Sequence, residues 1–403
     1  MTAGLDDDTL ERLAELAVGF GANVQPGQVV AIGAELGKER LARAIADRAY
    51  RAGARYVEVA YFDPHVKRSR LLHAPDEALD YVPPWIGGRV LALGEARAAR
   101  IALSGPVEPH LLRDIDPARA GRDQLPFVKE AAQVVNDRTT NWTILPCPTP
   151  GWASVVFPDD EPEAAFARLT REVLHVLRLD EPDPVAAWRE RAGTLAQAAE
   201  RLTALRFDAL RFKGPGTDLV VGLLPSSKWI SARFHTVDGL EHFPNVPSEE
   251  VFTTPDPVRV DGVVRATKPL YLGGSIVRDF EVEFRDGRVV RIDAAENADV
   301  LRGYTERDPG AARLGEVALV DGQGRIGPLG TVFYDTLFDE NAASHIALGS
   351  AYTFALEAEE DVARANTSQI HVDFMIGSPE VAVHGRRPDG AEVPVLVRGD
   401  WQL

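Results

Sequence analysis

Apolar and polar positions along this chain change their rhythm near the middle. In the first half, helical periodicity and short apolar runs take turns. Residues 6–19 predict a helix and QVVAIGA at 28–34 a strand, followed by the helix ERLARAIADRAYRAG and the strand RYVEVAYF. A helical stretch over 76–97, the strand RIALSG at 100–105, a helix through FVKEAAQVV and the strand NWTILPCP continue the series. This succession predicts an α/β N-terminal domain with a mostly parallel sheet and flanking helices. The stretch GAELGKE after the first strand lacks the glycine spacing of a dinucleotide fingerprint, so the architecture does not by itself mark a nucleotide site.

Residues 184–204, DPVAAWRERAGTLAQAAERLT, predict one long connecting helix. Beyond it short strands dominate, as in LRFKGPGTDLVVGL, SSKWISARF, GGSIVRDFEVEFRDGRVVRID and AEVPVLVRG. Asp-Gly turns at 238, 261, 286, 321 and 389 suit hairpins. The expected organisation is an α/β domain over 1–183, the helix over 184–204, and a β-rich α+β domain over 205–403. Neither an internal repeat nor a low-complexity segment interrupts it.

Composition narrows what such a chain does. The 403 residues are 45% hydrophobic and 26% charged, as in an ordinary globular protein. A net charge of −17 argues against nucleic-acid binding and against adhesion to anionic membranes, both of which want a basic face. The start MTAGLDDDTLERLAELAVGF is acidic and amphipathic, unlike a signal peptide, and no apolar run reaches membrane-spanning length. A cytoplasmic location is expected. Cys147 is the single cysteine, so a metal site here must draw on histidines and carboxylates.

Such residues gather in the second half. In SQIHVDFMIGS, residues 368–378, period-2 alternation predicts a strand with His371 and Asp373 on one face. An Asp on an apolar strand is costly unless something pairs with it. FPNVPSEEVFTTPD carries Glu249 and Glu250, which point opposite ways if extended. RLGEVALVD places Glu316 at the mouth of an apolar strand after Gly315, expected to be flexible. TLFDENAASHIALGSAY is expected to turn helical after Asp339 and Glu340, which would set His345 and Tyr352 on one face. Each residue alone has a plain structural reading: a strand-end surface group, a helix N-terminal acid or a satisfied pair. His65, His73, His110 and His175, in the first half, read as bystanders. If Glu250, Glu316, Glu340 and Asp373 converge, their four charges call for two divalent cations, with His345 and His371 as neutral nitrogen donors.

The segments NVPSEEVFTTP, GEVALV, FYDTLFDENAASHIALGSAY and HVDFMIGS resemble, in order, the signature blocks of the thermophilic-type metalloaminopeptidases, the aminopeptidase T and aminopeptidase S family. The resemblance implies two divalent metal ions held by Glu250, Glu316, Glu340, His345, His371 and Asp373, with Tyr352 over the site. It also implies removal of N-terminal residues from peptides with a free N-terminus, activation by cobalt, zinc or magnesium, and a homodimer. Manganese suits the same donors. For catalysis, Tyr352 is expected to donate to the oxyanion and Glu249 to act as general base. The rival readings are a binuclear-metal amidohydrolase or dipeptidase on small amides, and a non-catalytic protein stapled by its metals.

Overall fold

The computed structural model describes residues 4–116, 119–120, 123, 125–126, 128–272 and 275–403. Phe127, Gly273 and Gly274, which fall in two of the segments read above, lie outside the described residues. The chain divides into two compact units, Met1–Arg189 with Arg233–Pro247, and Glu190–Ala232 with Ser248–Leu403.

In the first unit, β1 (Val29–Glu35), β2 (Tyr56–Phe62), β3 (Ala99–Ser104) and β4 (Trp142–Pro146) form a sheet in the order β2-β1-β3-β4. All its pairings are parallel. Val30, Ile32, Ile101 and Leu145 are buried on one face of it, and burial alternates along β3 and β4. Helix starts follow local chemistry. Asp6 accepts from the Thr9 amide at 2.8 Å to cap Asp7–Glu15. Asp63 and Thr149 cap Pro64–His73 and Pro150–Val156, each with a proline in the first turn. Residues 76–97 are two helices, Asp76–Leu79 and Pro84–Glu95. Pro83 and Pro84 between them forbid a continuous one.

The helix Pro184–Leu205 spans the change of unit. The second unit is built mainly of two antiparallel sheets, beside a small two-stranded one of Leu270–Leu272 and Ser275–Val277. One has eight strands, running in space from Arg288–Asp293 through Glu281–Arg285, Pro255–Arg265, Thr217–Leu223, Ala209–Gly214, Ala382–Arg386 and Glu392–Val397 to Asp400–Trp401. The other contains β5 (Ile230–Ser231), β6 (Glu250–Thr253), β7 (Leu314–Val320), β8 (His345–Gly349) and β9 (His371–Met375), in the order β9-β8-β7-β6-β5. One apolar core draws on both sheets, from Phe212, Leu219 and Val260 of the larger to Val317, Ile346 and Phe374 of the smaller. The expected fold class, a parallel α/β part and a β-rich part, describes the chain, with Arg233–Pro247 grouping with the first unit.

Candidate metal centre

The five-stranded sheet has two unlike faces, and alternation sorts the residues between them. Val251, Val317, Leu319, Ile346, Leu348, Val372 and Phe374 point one way, into the core. Glu250, Glu316, His345, His371 and Asp373 point the other way. Cross-strand register aligns them: Glu316 pairs with Ala347, which pairs with Asp373. In the next row, Phe252 pairs with Ala318, Ala318 with His345 and His345 with Met375. Two alanines thus sit among the carboxylates and histidines, where larger side chains would occupy the space between them.

Glu316 owes its place to a bulge. Leu314 faces Leu348 while Glu316 faces Ala347, so Gly315 is the extra residue. A Cβ on Gly315 would stand 2.3 Å from the Ser350 carbonyl oxygen. Gly315 is therefore a buried position of close approach, not the flexible mouth expected from the sequence.

Distances knit the group into two triads that share Glu316. His345 Nε2 lies 3.1 Å from Glu250 Oε2 and 3.8 Å from Glu316 Oε1. On the other carboxylate oxygen, Glu316 Oε2 lies 3.3 Å from His371 Nε2, which is 3.4 Å from Asp373 Oδ1. Among the described residues, Glu250, Glu316 and His345 form one group able to hold an ion, and Glu316, His371 and Asp373 another. Glu340 stands outside these tight groups, on the short turn Glu340–Ala342 that follows the helix Thr336–Asp339. It is near enough for the charges of Asp373 and Glu250 to act on it.

Three observations fit divalent cations. First, each imidazole turns Nδ1 to a backbone carbonyl, His345 to Ala343 at 3.2 Å and His371 to Ser350 at 2.8 Å. A neutral ring that donates there leaves its Nε2 lone pair toward the carboxylates. Second, Glu250 Oε2 is buried without a hydrogen-bond donor. Third, the cluster is electrostatically crowded. Burial, followed by neighbouring carboxylates, raises Glu316 and lifts Glu340 well above the usual carboxylate range. Burial alone would lower His345, yet the adjoining Glu250, with Asp373 and Glu316, lifts it to about 10. His371 is raised well above its usual value against burial, with the Asp373 charge as the largest upward effect. Without cations the cluster holds protons to limit its own repulsion. Nitrogen and carboxylate donors without thiolate suit borderline-to-hard ions.

Two local expectations are corrected. The segment after Glu340 does not stay helical: His345–Gly349 is a strand, ended by Gly349 at φ 107°. His345 and Tyr352 therefore do not share a helix face. Tyr352 reaches the cluster from the following loop, its ring 5.1 Å from His371 and 5.6 Å from Phe252, centroid to centroid. Burial of its phenol, reinforced by Glu316, Asp373 and Glu340, raises the hydroxyl pKa. Glu249 is the second correction. Its fully buried carboxylate accepts from Arg191 Nε at 2.5 Å, on the side of the strand away from Glu250. A base committed to that ion pair is turned away from the reacting group, so the general-base expectation does not suit this geometry.

Sequence reasoning missed the residues behind the cluster. Arg191 also forks onto both oxygens of Asp321, at 3.0 and 2.8 Å, and Trp401 Nε1 donates to Asp321 at 2.5 Å. Asn341 accepts from the Glu249 amide at 2.6 Å and donates to the Leu337 carbonyl at 3.0 Å. It ties the turn bearing Glu340 to the strand bearing Glu250. Asp321 and Asn341 stand in or beside the quoted blocks, but nothing in their spacing points to Arg191. His65 and His175 make exposed pairs with Glu108 and Asp180, each at 2.7 Å.

Comparison with known proteins adds four likenesses. Residues 6–401 match the family described as thermophilic metalloprotease (M29). Aminopeptidase T of Thermus thermophilus is 43% identical over 400 residues, covering 97% of this chain and 98% of the relative. Aminopeptidase 2 of Geobacillus stearothermophilus is 37% identical over 403 residues, 97% of each chain. The solved structure of wild-type AmpT from Thermus thermophilus superimposes with a TM-score of 0.92 at 43% identity, over 98% of this chain and 99% of that one.

Proposed function

The chain belongs to the thermophilic metalloprotease family M29, and from that premise we propose a metal-dependent aminopeptidase with a two-cation site. The observation that carries the reading is the sharing of Glu316, one carboxylate oxygen toward His345 and the other toward His371. Glu250 and His345 would hold one divalent ion, His371 and Asp373 the other, with Glu316 spanning both and Glu340 adding a fourth carboxylate. When bound, such ions supply Lewis-acid polarisation of a carbonyl and a water of lowered pKa.

The chain's own groups do the rest. Carbonyls of Ala343 and Ser350 hold the Nδ1 protons of His345 and His371, which fixes both rings. A tyrosine phenol is protonated at neutral pH, so the Tyr352 O–H, beside His371, can donate to the oxyanion that develops on the scissile carbonyl. Asp335 lines the same cleft as Glu340 and Asp373 and favours a substrate's free α-ammonium.

Cobalt, zinc, manganese or magnesium suit these donors. Action as a cytoplasmic homodimer belongs to the same proposal and rests on the family resemblance. Among the described residues no helix is long and apolar enough to cross a membrane. The deciding experiment incubates an unblocked peptide and its N-acetylated twin with the enzyme and follows both by mass spectrometry. Stepwise loss from the free N-terminus, with the acetylated peptide intact, is expected. Internal cuts, or release from the C-terminus, would overturn the reading in favour of another hydrolase.

A further inference from the structure

Of the four candidate carboxylates, Glu340 is the one outside the two triads that Glu316 joins. Its footing also differs from theirs. Glu250, Glu316 and Asp373 stand on paired strands of one sheet. Glu340 opens the three-residue turn Glu340–Ala342, behind the four-residue helix Thr336–Asp339. Elements of a single turn make few hydrogen bonds of their own and take their position from what they dock on. Here the anchor is the next side chain. Asn341 is 0% exposed, and its amide meets three groups at once. Its Oδ1 accepts from the Glu249 N–H at 2.6 Å, while Nδ2 donates to the Leu337 carbonyl at 3.0 Å and reaches Glu340 Oε1 at 3.5 Å. Glu249 directly precedes β6, so the first contact fixes the turn to the strand that carries Glu250. The second closes the turn on its own helix, and the third aims the Glu340 carboxylate. Asparagine can do all three because a primary amide joins an acceptor to two donors in one plane.

We propose that Asn341 is a positioning residue for the metal centre, holding the Glu340 carboxylate toward the ions that Glu250, Glu316 and Asp373 face. The inference rests on the two-cation reading. Carboxylates gathered on one face repel one another before any cation arrives, and Glu340, on its short turn, is the one with least backbone to resist. The oxygen of Asn341 is engaged by the Glu249 amide and its nitrogen has no lone pair to give. Its effect on the ions therefore passes through Glu340.

The test loads wild type, Asn341→Ala, Asn341→Asp, Glu340→Gln and the combined Glu340→Gln, Asn341→Ala protein with zinc. Each is then titrated against a chelator, and circular dichroism with the Tm of the metal-free proteins reports folding. Asn341→Ala should weaken zinc binding by about 10–100-fold, as substitutions behind metal ligands do. The combined protein should bind zinc no more weakly than Glu340→Gln alone. Additive losses would make Asn341 a general support of the fold and overturn the proposal. Asn341→Asp keeps the acceptor for the Glu249 amide and loses both donors, so it separates the two anchors, and it decides the matter if Asn341→Ala does not fold. It should lose zinc affinity as the alanine variant does, and wild-type affinity would overturn the proposal. A wild type that takes up no zinc would end the two-cation reading and this inference together. Wild-type zinc loading with unaffected Asn341 variants would end this inference alone.

Discussion

Glu249 and Glu250 are consecutive residues with opposite duties: Glu250 faces His345 at 3.1 Å, and Glu249 is buried against Arg191 on the other side. Strand alternation makes the separation unavoidable. Arg191→Met would leave Glu249 and Asp321 buried with no cation between them. The expected cost is about 3–5 kcal/mol of stability, as for other broken buried ion networks, measured by urea unfolding. Glu249→Gln should weaken the fold and leave the shape of the pH–rate profile unchanged. Loss of a limb of that profile would return Glu249 to the chemistry.

Ala347 separates Glu316 from Asp373 in the cross-strand row. Ala347→Leu keeps every candidate ligand and fills the space they enclose. We expect a folded protein that binds little or no divalent metal, measured by plasma mass spectrometry of dialysed samples. Normal metal content would mean that the ions sit away from this row.

Histidine substitutions and chelation separate the cluster from the bystanders. His345→Ala and His371→Ala should lose metal and activity together. His65→Ala and His175→Ala, each removing an exposed pair, should lose neither. Exhaustive EDTA treatment should abolish peptide hydrolysis, and cobalt, zinc, manganese or magnesium should restore it to different degrees. Full activity after complete metal removal would contradict the site.

Tyr352→Phe removes one hydroxyl and keeps the ring beside His371 and Phe252. If that hydroxyl donates to the oxyanion, kcat should fall by roughly 100–1000-fold. KM and metal content should change little. Lost metal would instead make Tyr352 a support for the ligands.

His242 lies in the first unit, 2% exposed, and burial pushes its pKa down to about 4. An unfolded histidine titrates near 6.5, so between about pH 6.5 and 4 the unfolded chain takes up the proton and the folded one does not. Stability is complete above this window and declines through it as pH falls, by about 3 kcal/mol in all. His242→Leu should flatten that part of the Tm-versus-pH curve. An unchanged curve would mean that the loss arises elsewhere.

The ligand strands are legible because a charged residue on an apolar strand contradicts its neighbours, as Asp373 does between Val372 and Phe374. The parallel sheet is legible because short strand-like runs alternate with helical periodicity along the first half of the chain. At His345 the sequence misleads, because DENAAS favours helix locally. What makes it a strand, pairing with Ala318 on one side and Met375 on the other, comes from 27 residues before it and 30 after it. Arg191 stays hidden, since its partners are 58 and 130 positions distant. Such contacts leave no periodic trace in a single sequence.

The alternation of the five-stranded sheet also makes the site a gauge of assembly. A slip of one residue in β6, β7, β8 or β9 would carry that strand's donors into the apolar layer and bring valine, leucine or phenylalanine onto the polar face. A misregistered chain that stayed compact and rich in strand would still have no place for the cations. Metal bound per chain therefore counts correctly paired molecules in a preparation, where circular dichroism would count all of them alike.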